Sequence, residues 1–138
     1  MVDITIRGAG IFGLSIAWAC VRRGARVQVI DLHGPGAGSS GGLVGALAPH
    51  VPENWNPKKA FQLDSLLMAE HFWATVAAAG GVDPGYARTG RLQPIADAAA
   101  LTLAQGRAAT ATQLWQHHAE WAVIDTPDSN WIPHSPTG

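Results

Sequence analysis

Gly8-Ala9-Gly10-Ile11-Phe12-Gly13 is a G-x-G-x-x-G run, and its neighbours restrict what it can be. Ile4-Thr5-Ile6-Arg7 precedes it and reads as a short β-strand with β-branched positions. Leu14 to Arg23 follows it and reads as a helix, with Leu14, Ala17, Trp18 and Val21 near one face. Arg22 and Arg23 fall in the last turn, where positive charge suits the helix dipole, and Gly24 supplies a stop. Arg26 to Ile30 reads as a second strand, ended by Asp31. A strand, a glycine turn, a helix and a parallel strand make the opening of a Rossmann-like unit.

Each glycine has a physical task in such a turn. Gly8 permits the tight exit from the strand, Gly10 lets backbone approach a diphosphate, and Gly13 lets helix and strand pack closely. The helix N-terminus offers unpaired N–H groups and partial positive charge to phosphates. Asp31 lies about twenty residues on, where a carboxylate accepts hydrogen bonds from ribose hydroxyls. The same carboxylate disfavours a 2′-phosphate, which makes NADP the least favoured nucleotide. A glycine-rich turn without a ligand is the plain alternative, and it leaves Asp31 unexplained. Arg7 breaks the pattern, because a central strand favours an apolar residue there. It reaches either solvent at the sheet end or a phosphate.

Residues 32–50 hold a second glycine-rich stretch, with Ser39 and Ser40 adjacent. An NAD dehydrogenase normally begins another helix soon after this point. Small residues let backbone lie against a flat ligand, and two hydroxyls can bind phosphate or ribityl oxygens. A flexible linker is the competing reading, but Leu43, Val44, Ala46 and Leu47 are poor linker residues.

Taken together, Gly8 to Ala17, Arg23-Gly24, Val29-Ile30-Asp31, Ser39-Ser40-Gly41 and Gly45-Ala46-Leu47 resemble the start of the D-amino-acid oxidase and glycine oxidase superfamily. That group also contains D-amino-acid dehydrogenases and sarcosine oxidases. The first fifty residues carry most of the similarity. The resemblance implies FAD as cofactor, held by Gly8, Gly10, Ile11, Phe12, Gly13, Asp31, Leu32, Ser39, Ser40, Gly45, Ala46 and Leu47. Asp31, where the family usually has Glu, would bind the adenosine ribose. Ser39 and Ser40 would contact phosphates, and the backbone of Gly45-Ala46-Leu47 would pass beside the isoalloxazine ring. The implied chemistry is oxidation of an amine or amino acid. A hydride passes from the α-carbon to the flavin, and water hydrolyses the imine. Tyr86-Ala87-Arg88-Thr89-Gly90-Arg91-Leu92 resembles a family strand that enters the substrate-binding domain.

Later elements follow from periodicity and breakers. Asn54 to Pro57 reads as a loop, and Lys58 to about Ala79 as a helix ended by Gly80-Gly81. Phe61, Met68, Phe72 and Val76 form its expected packing stripe, widened by Leu66, Leu67 and Trp73. Tyr86 to Ile95 reads as a kinked strand, and Ala98 to about Trp121 as a helix packing through Leu101, Ala104, Ala108, Leu114 and Trp115. Ala122 to Asp125 is a candidate strand, and Thr126 to Gly138 is expected to be irregular. Trp55, Trp73, Trp115 and Trp121 read as packing residues.

The fold class expected is α/β: an FAD-binding βαβ unit over residues 1–82, then the incomplete start of an α+β substrate domain over 83–138. Family members are usually much longer, so the chain reads as an N-terminal fragment or truncated reading frame, inactive alone. Its sheet would then be covered by self-association or a partner chain. A non-catalytic subunit and an NAD-dependent dehydrogenase fragment are the alternatives.

Composition narrows the field further. Of 138 residues, 47% are hydrophobic and the net charge is −1, so a core can form and no nucleic-acid surface is indicated. No stretch is long and apolar enough to span a bilayer, and no secretory signal opens the chain, so a cytoplasmic location is expected. Cys20 has no second cysteine to pair with and reads as a buried small side chain. His117 and His118 are adjacent, hence about 100° apart on a helix, and no metal site is expected. Arg88 and Arg91 read as solvated charges rather than carboxylate-binding groups. No catalytic residue is identifiable, and a small amine or amino acid is the expected substrate of the full-length enzyme.

Overall fold

The computed structural model describes residues 1–124. They fall into two compact units, Met1–Ala46 and a second beginning at Leu47.

The first unit is a small βαβ arrangement. Strand β1 (Ile4–Arg7) leads into helix α1 (Ile11–Val21), which leads into β2 (Val27–Ile30). The strands are parallel, with Ile4 opposite Val27 and Arg7 opposite Ile30. Parallel strands need a crossover, and α1 provides it. The Asp3 carboxylate receives Arg26 from both backbone N–H and guanidinium, fixing the start of the pairing.

Helix α1 begins three residues earlier than its apolar spacing suggests. The Leu14 amide donates to the Gly10 carbonyl at 3.0 Å, so the glycine run already contains the first turn. It ends at Val21 with Arg22 as C-cap, and Arg23 Nη1 donates to the Ala19 carbonyl at 2.8 Å. The basic pair therefore serves the helix end from just beyond it. Ala17 is buried, Trp18 and Cys20 are half-buried, and Leu14 and Val21 are exposed. The expected four-residue face and a buried Cys20 are thus corrected: α1 packs only on two short strands, which cover little of it. The strand expected from Arg26 starts at Val27.

The second unit is built on α2 (Pro57–Gly80) and α3 (Ala98–Leu114). Asn56 caps α2, accepting from the amides of Lys58 and Lys59, with Pro57 at the first position. Such a cap contributes about 1 kcal/mol. Gly81, left-handed, ends the helix. The core joins Leu63, Ala111 and Trp115, with Trp55, Leu67, Leu114 and Trp121 against it.

Both helices also hold segment 50–53. Gln62 Oε1 accepts from the His50 amide, Lys59 Nζ donates to the Val51 and Glu53 carbonyls, and Thr110 donates to the Pro52 carbonyl. Arg107 binds Glu53 through two bonds of 2.8 and 3.1 Å.

The expected α2 stripe is kept in part: Leu66, Leu67, Phe72, Trp73 and Val76 are half-buried. Phe61 is 75% and Met68 68% exposed, whereas Leu63 is buried. Leu67, expected at the edge of the stripe, packs against the core together with Leu63, four residues before it, which the stripe left out. Tyr86–Ile95 is not a strand: it forms no ladder, and a strand needs a partner to satisfy its backbone. Helix α3 stops at Leu114 rather than near Trp121, because Gln116 and His117 take left-handed φ of 53° and 63°. Residues 122–124 are likewise not strand; Asp125 and the stretch Thr126 to Gly138 lie outside the described residues. The expected α+β character is therefore not seen after residue 82: α3 is the one regular element described there. No helix among the described residues is long and apolar enough to cross a membrane.

Candidate dinucleotide-binding site

The strand-to-helix turn is where the first unit concentrates its hydrogen bonds. The Gly8 amide donates to the Ile30 carbonyl at 2.8 Å, extending the strand pairing to the turn. Gly8 then takes φ +104°, a conformation costly for any side chain. Gly13 is required for a different reason. A Cβ there would lie 2.0 Å from the Gly8 carbonyl oxygen, so only glycine lets the first helical turn sit this close to the strand end. The tight cradle expected of a diphosphate-binding turn is present in the backbone, and these residues fit such a group.

Asp31 is brought to this turn. Its Oδ2 accepts from the Ala9 amide at 2.8 Å, while Oδ1 accepts from the amides of His33 at 2.9 Å and Gly34 at 3.0 Å. The Ala9 amide, then that of His33, holds the carboxyl below the usual Asp range, with a smaller contribution from Gly34. The side chain is thus ionised and oriented at the end of β2.

The second glycine-rich loop returns to the same place. The Gly36 amide donates to the Ala9 carbonyl at 2.9 Å. Ser39–Gly41 forms one tight 3-10 turn, and Ser40 Oγ accepts from the Ile11 amide at 2.9 Å. A Cβ on Gly10 would lie 3.0 Å from that hydroxyl. Gly8, Gly10, Ile11, Gly13, Asp31 and Ser40 are therefore one cluster. Phe12 is 85% exposed on α1, and Leu32 and Ser39 are exposed beside the cluster. Gly45 faces open space, and Ala46 and Leu47 are exposed.

Sequence reasoning missed Ala9, His33, Gly34 and Gly36, whose backbones tie Asp31 and the second loop to the turn. The signal was present in Asp31-Leu32-His33-Gly34-Pro35, because Asp followed by Gly and Pro favours a side-chain-to-backbone turn. Of the other candidates, Arg88 Nη2 donates to the His118 carbonyl at 2.5 Å, so it serves as a structural tie rather than a free charge. His117 and His118 lie beyond the end of α3, not on a helix as assumed.

Comparison with known proteins is consistent with this geometry. The bifunctional protein MnmC of Chromohalobacter salexigens, named for tRNA 5-methylaminomethyl-2-thiouridine biosynthesis, is 38% identical over 72 residues, covering 52% of this chain and 10% of that protein. The MnmC of Albidiferax ferrireducens is 53% identical over 45 residues, 32% of this chain and 7% of that protein. A Rhizobium etli protein named as a candidate thiamine biosynthesis oxidoreductase, ThiO, is 34% identical over 94 residues, 59% of this chain and 28% of that protein. The chain thus spans a tenth or less of the MnmC relatives' length and 28% of the ThiO relative's. No solved structure gives a significant match. The family model of the FAD dependent oxidoreductases matches residues 3–128, which is most of the chain, and the chain belongs to that FAD-dependent family.

Proposed function

We propose that this chain grips the diphosphate and adenosine end of FAD for an enzyme that oxidises an amine or amino acid. The observation that carries the reading is the convergence of Asp31 and Ser40 on one glycine turn, through the amides of Ala9 and Ile11. Beyond the Ile11 amide, which Ser40 takes, the remaining amides of the first turn of α1 suit phosphate oxygens. The Asp31 carboxylate, ionised and fixed, suits ribose hydroxyls. In this reading Gly8, Gly10, Ile11, Phe12, Gly13, Leu32, Ser39 and Ser40 surround the nucleotide, and Gly45, Ala46 and Leu47 approach the ring. The domain division at residues 82 and 83 is part of the same proposal.

Bound FAD supplies a hydride acceptor, and the protein supplies its position. The amine substrate class rests on the resemblance of residues 8–47 to amino-acid oxidases. It also agrees with the methylaminomethyl group, an amine, in the name of the MnmC relatives. We expect the chain alone to bind without turnover.

Titration of FAD and NADH by fluorescence tests the cofactor reading. Saturable FAD quenching, with weaker NADH binding, is the expected result. Absence of FAD affinity overturns it. Substrate-dependent reduction of an artificial acceptor with glycine, sarcosine or D-amino acids would show that the chain is active by itself.

A further inference from the structure

The residue that departs most from a parallel-strand pattern is Arg7, the last residue of β1, immediately before Gly8. A strand of this kind favours apolar residues, because both faces of its sheet are ordinarily covered. Successive side chains on a strand alternate between faces. Ile6 Cγ2 lies 3.4 Å from the point a Cβ on Gly13 would take, so Ile6 faces α1. Arg7 therefore projects from the opposite face, at the carboxyl end of the strand.

The other arginines all have partners. Arg22 stacks 5.6 Å over Trp18, Arg23 caps α1, Arg26 pairs with Asp3, Arg88 binds the His118 carbonyl, Arg91 contacts Gln93, and Arg107 pairs with Glu53. Among the described arginines, Arg7 alone makes no side-chain hydrogen bond, ion pair or ring contact. The carboxylate that follows the neighbouring strand, Asp31, already has both oxygens engaged by backbone amides. Nothing lies within 4 Å of the position a Cβ on Gly8 would take, so the space beside the turn is open to a long side chain.

We infer that Arg7 is a cofactor-binding residue whose guanidinium binds a phosphate of the dinucleotide. The inference rests on the FAD reading above and extends it. Ligands in open parallel sheets sit beyond the carboxyl ends of the strands, where Arg7 ends. A guanidinium presents a planar fork of donors matched to phosphate oxygens. The helix terminus alone supplies only partial charge, and Arg7 adds a full one.

The experiment titrates FAD into the full chain and its variants at several salt concentrations, with riboflavin, which lacks phosphate, in parallel. Arg7→Gln is expected to weaken FAD binding about tenfold and to flatten its salt dependence. Arg7→Lys keeps the salt dependence and loses about threefold. Riboflavin affinity stays the same in both variants, and Arg23→Gln leaves FAD affinity unchanged. An Arg7→Gln chain that binds FAD as the parent does, with the same salt dependence, overturns the role of Arg7 and leaves the FAD reading standing. A parent chain with no FAD affinity overturns both. Should Arg7→Gln fail to fold, the parent decides: FAD affinity that ignores salt overturns the inference.

Discussion

The two units of this chain reach order by different means. In Met1–Ala46 the organising contacts are backbone contacts: a two-strand ladder, a turn too tight for any Cβ at Gly13, and side-chain oxygens of Asp31 and Ser40 received by amides. Its buried side chains are only alanines, Ala9 and Ala17. In residues 47–124 order comes from side chains: an indole packed on Leu63 and Ala111, and an arginine, a lysine and a threonine tied to segment 50–53. A ligand turn must leave its amides accessible, so it cannot be stabilised chiefly by burial. A helix pair has no such duty. The contrast separates a turn held by backbone contacts, which the proposed function makes the ligand surface, from a scaffold held by side chains.

The largest effect should come from the scaffold. Trp115 is 4% exposed and its Nε1 donates to the His50 carbonyl at 3.2 Å. Trp115→Ala removes the central core side chain and leaves that carbonyl without its indole donor. The expected cost is about 4 kcal/mol, read as a lower urea midpoint of the helical signal. Amide exchange protection within Met1–Ala46 should be unchanged. Loss of protection at β1 and β2 as well would mean that the first unit does not hold its order by its own backbone contacts.

A smaller but more local effect is expected at the turn. In Gly13→Ala the new Cβ meets the Gly8 carbonyl at 2.0 Å, and both atoms belong to backbone, so one segment must move. About 2 kcal/mol of local stability should be lost, with exchange at residues 8–14 accelerated and FAD binding reduced at least tenfold. Gly45→Ala is the control, because nothing lies within 4 Å of its Cβ position, and stability should not change. Equal effects from the two substitutions would show that close approach is not what the turn depends on.

The same contrast explains how much could be read in advance. Residues 4–31 were legible because their signals are local: β-branched strands, glycines at turn spacing, an acid at a strand end. Asn56-Pro57 and Gly80-Gly81 marked α2 for similar reasons, as a cap and a left-handed stop. The faces of the helices were less legible. Phe61 and Met68 match Leu63 and Leu67 in hydrophobicity, and only the partner helix decides which pair is covered. Tyr86–Ile95 has strand composition, but pairing is non-local and its sequence does not contain its partner. The position of Ser40 over the Ile11 amide was not legible, because twenty-nine residues separate them; the family resemblance implied only a phosphate contact for Ser40.

The smallest expected effect is the most specific to the turn, and it comes from pH. Asp31 is held below its ordinary range by the Ala9 and His33 amides, and Asp3 by Arg26. The folded chain therefore holds these protons more weakly than the unfolded chain. The stabilisation is complete above the ordinary Asp range, about pH 4, and is lost as pH falls through the lowered folded values. Glu53 in the second unit behaves in the same sense, through Arg107. Salt separates the three. Pairing with a guanidinium is screened, so the Asp3 and Glu53 contributions should shrink at high ionic strength. Asp31 is held by neutral amides in hydrogen-bond contact, and its contribution should persist. Amide exchange of Ala9, His33 and Gly34 across the acid range, at low and high salt, measures it, with Asp3→Asn as background. Protection that falls with acid at both salt levels, and that no longer depends on pH in Asp31→Asn, is the expected outcome. Protection at Ala9 that ignores acid altogether would mean that the carboxylate does not hold the turn, and the turn would then rest on glycine sterics alone.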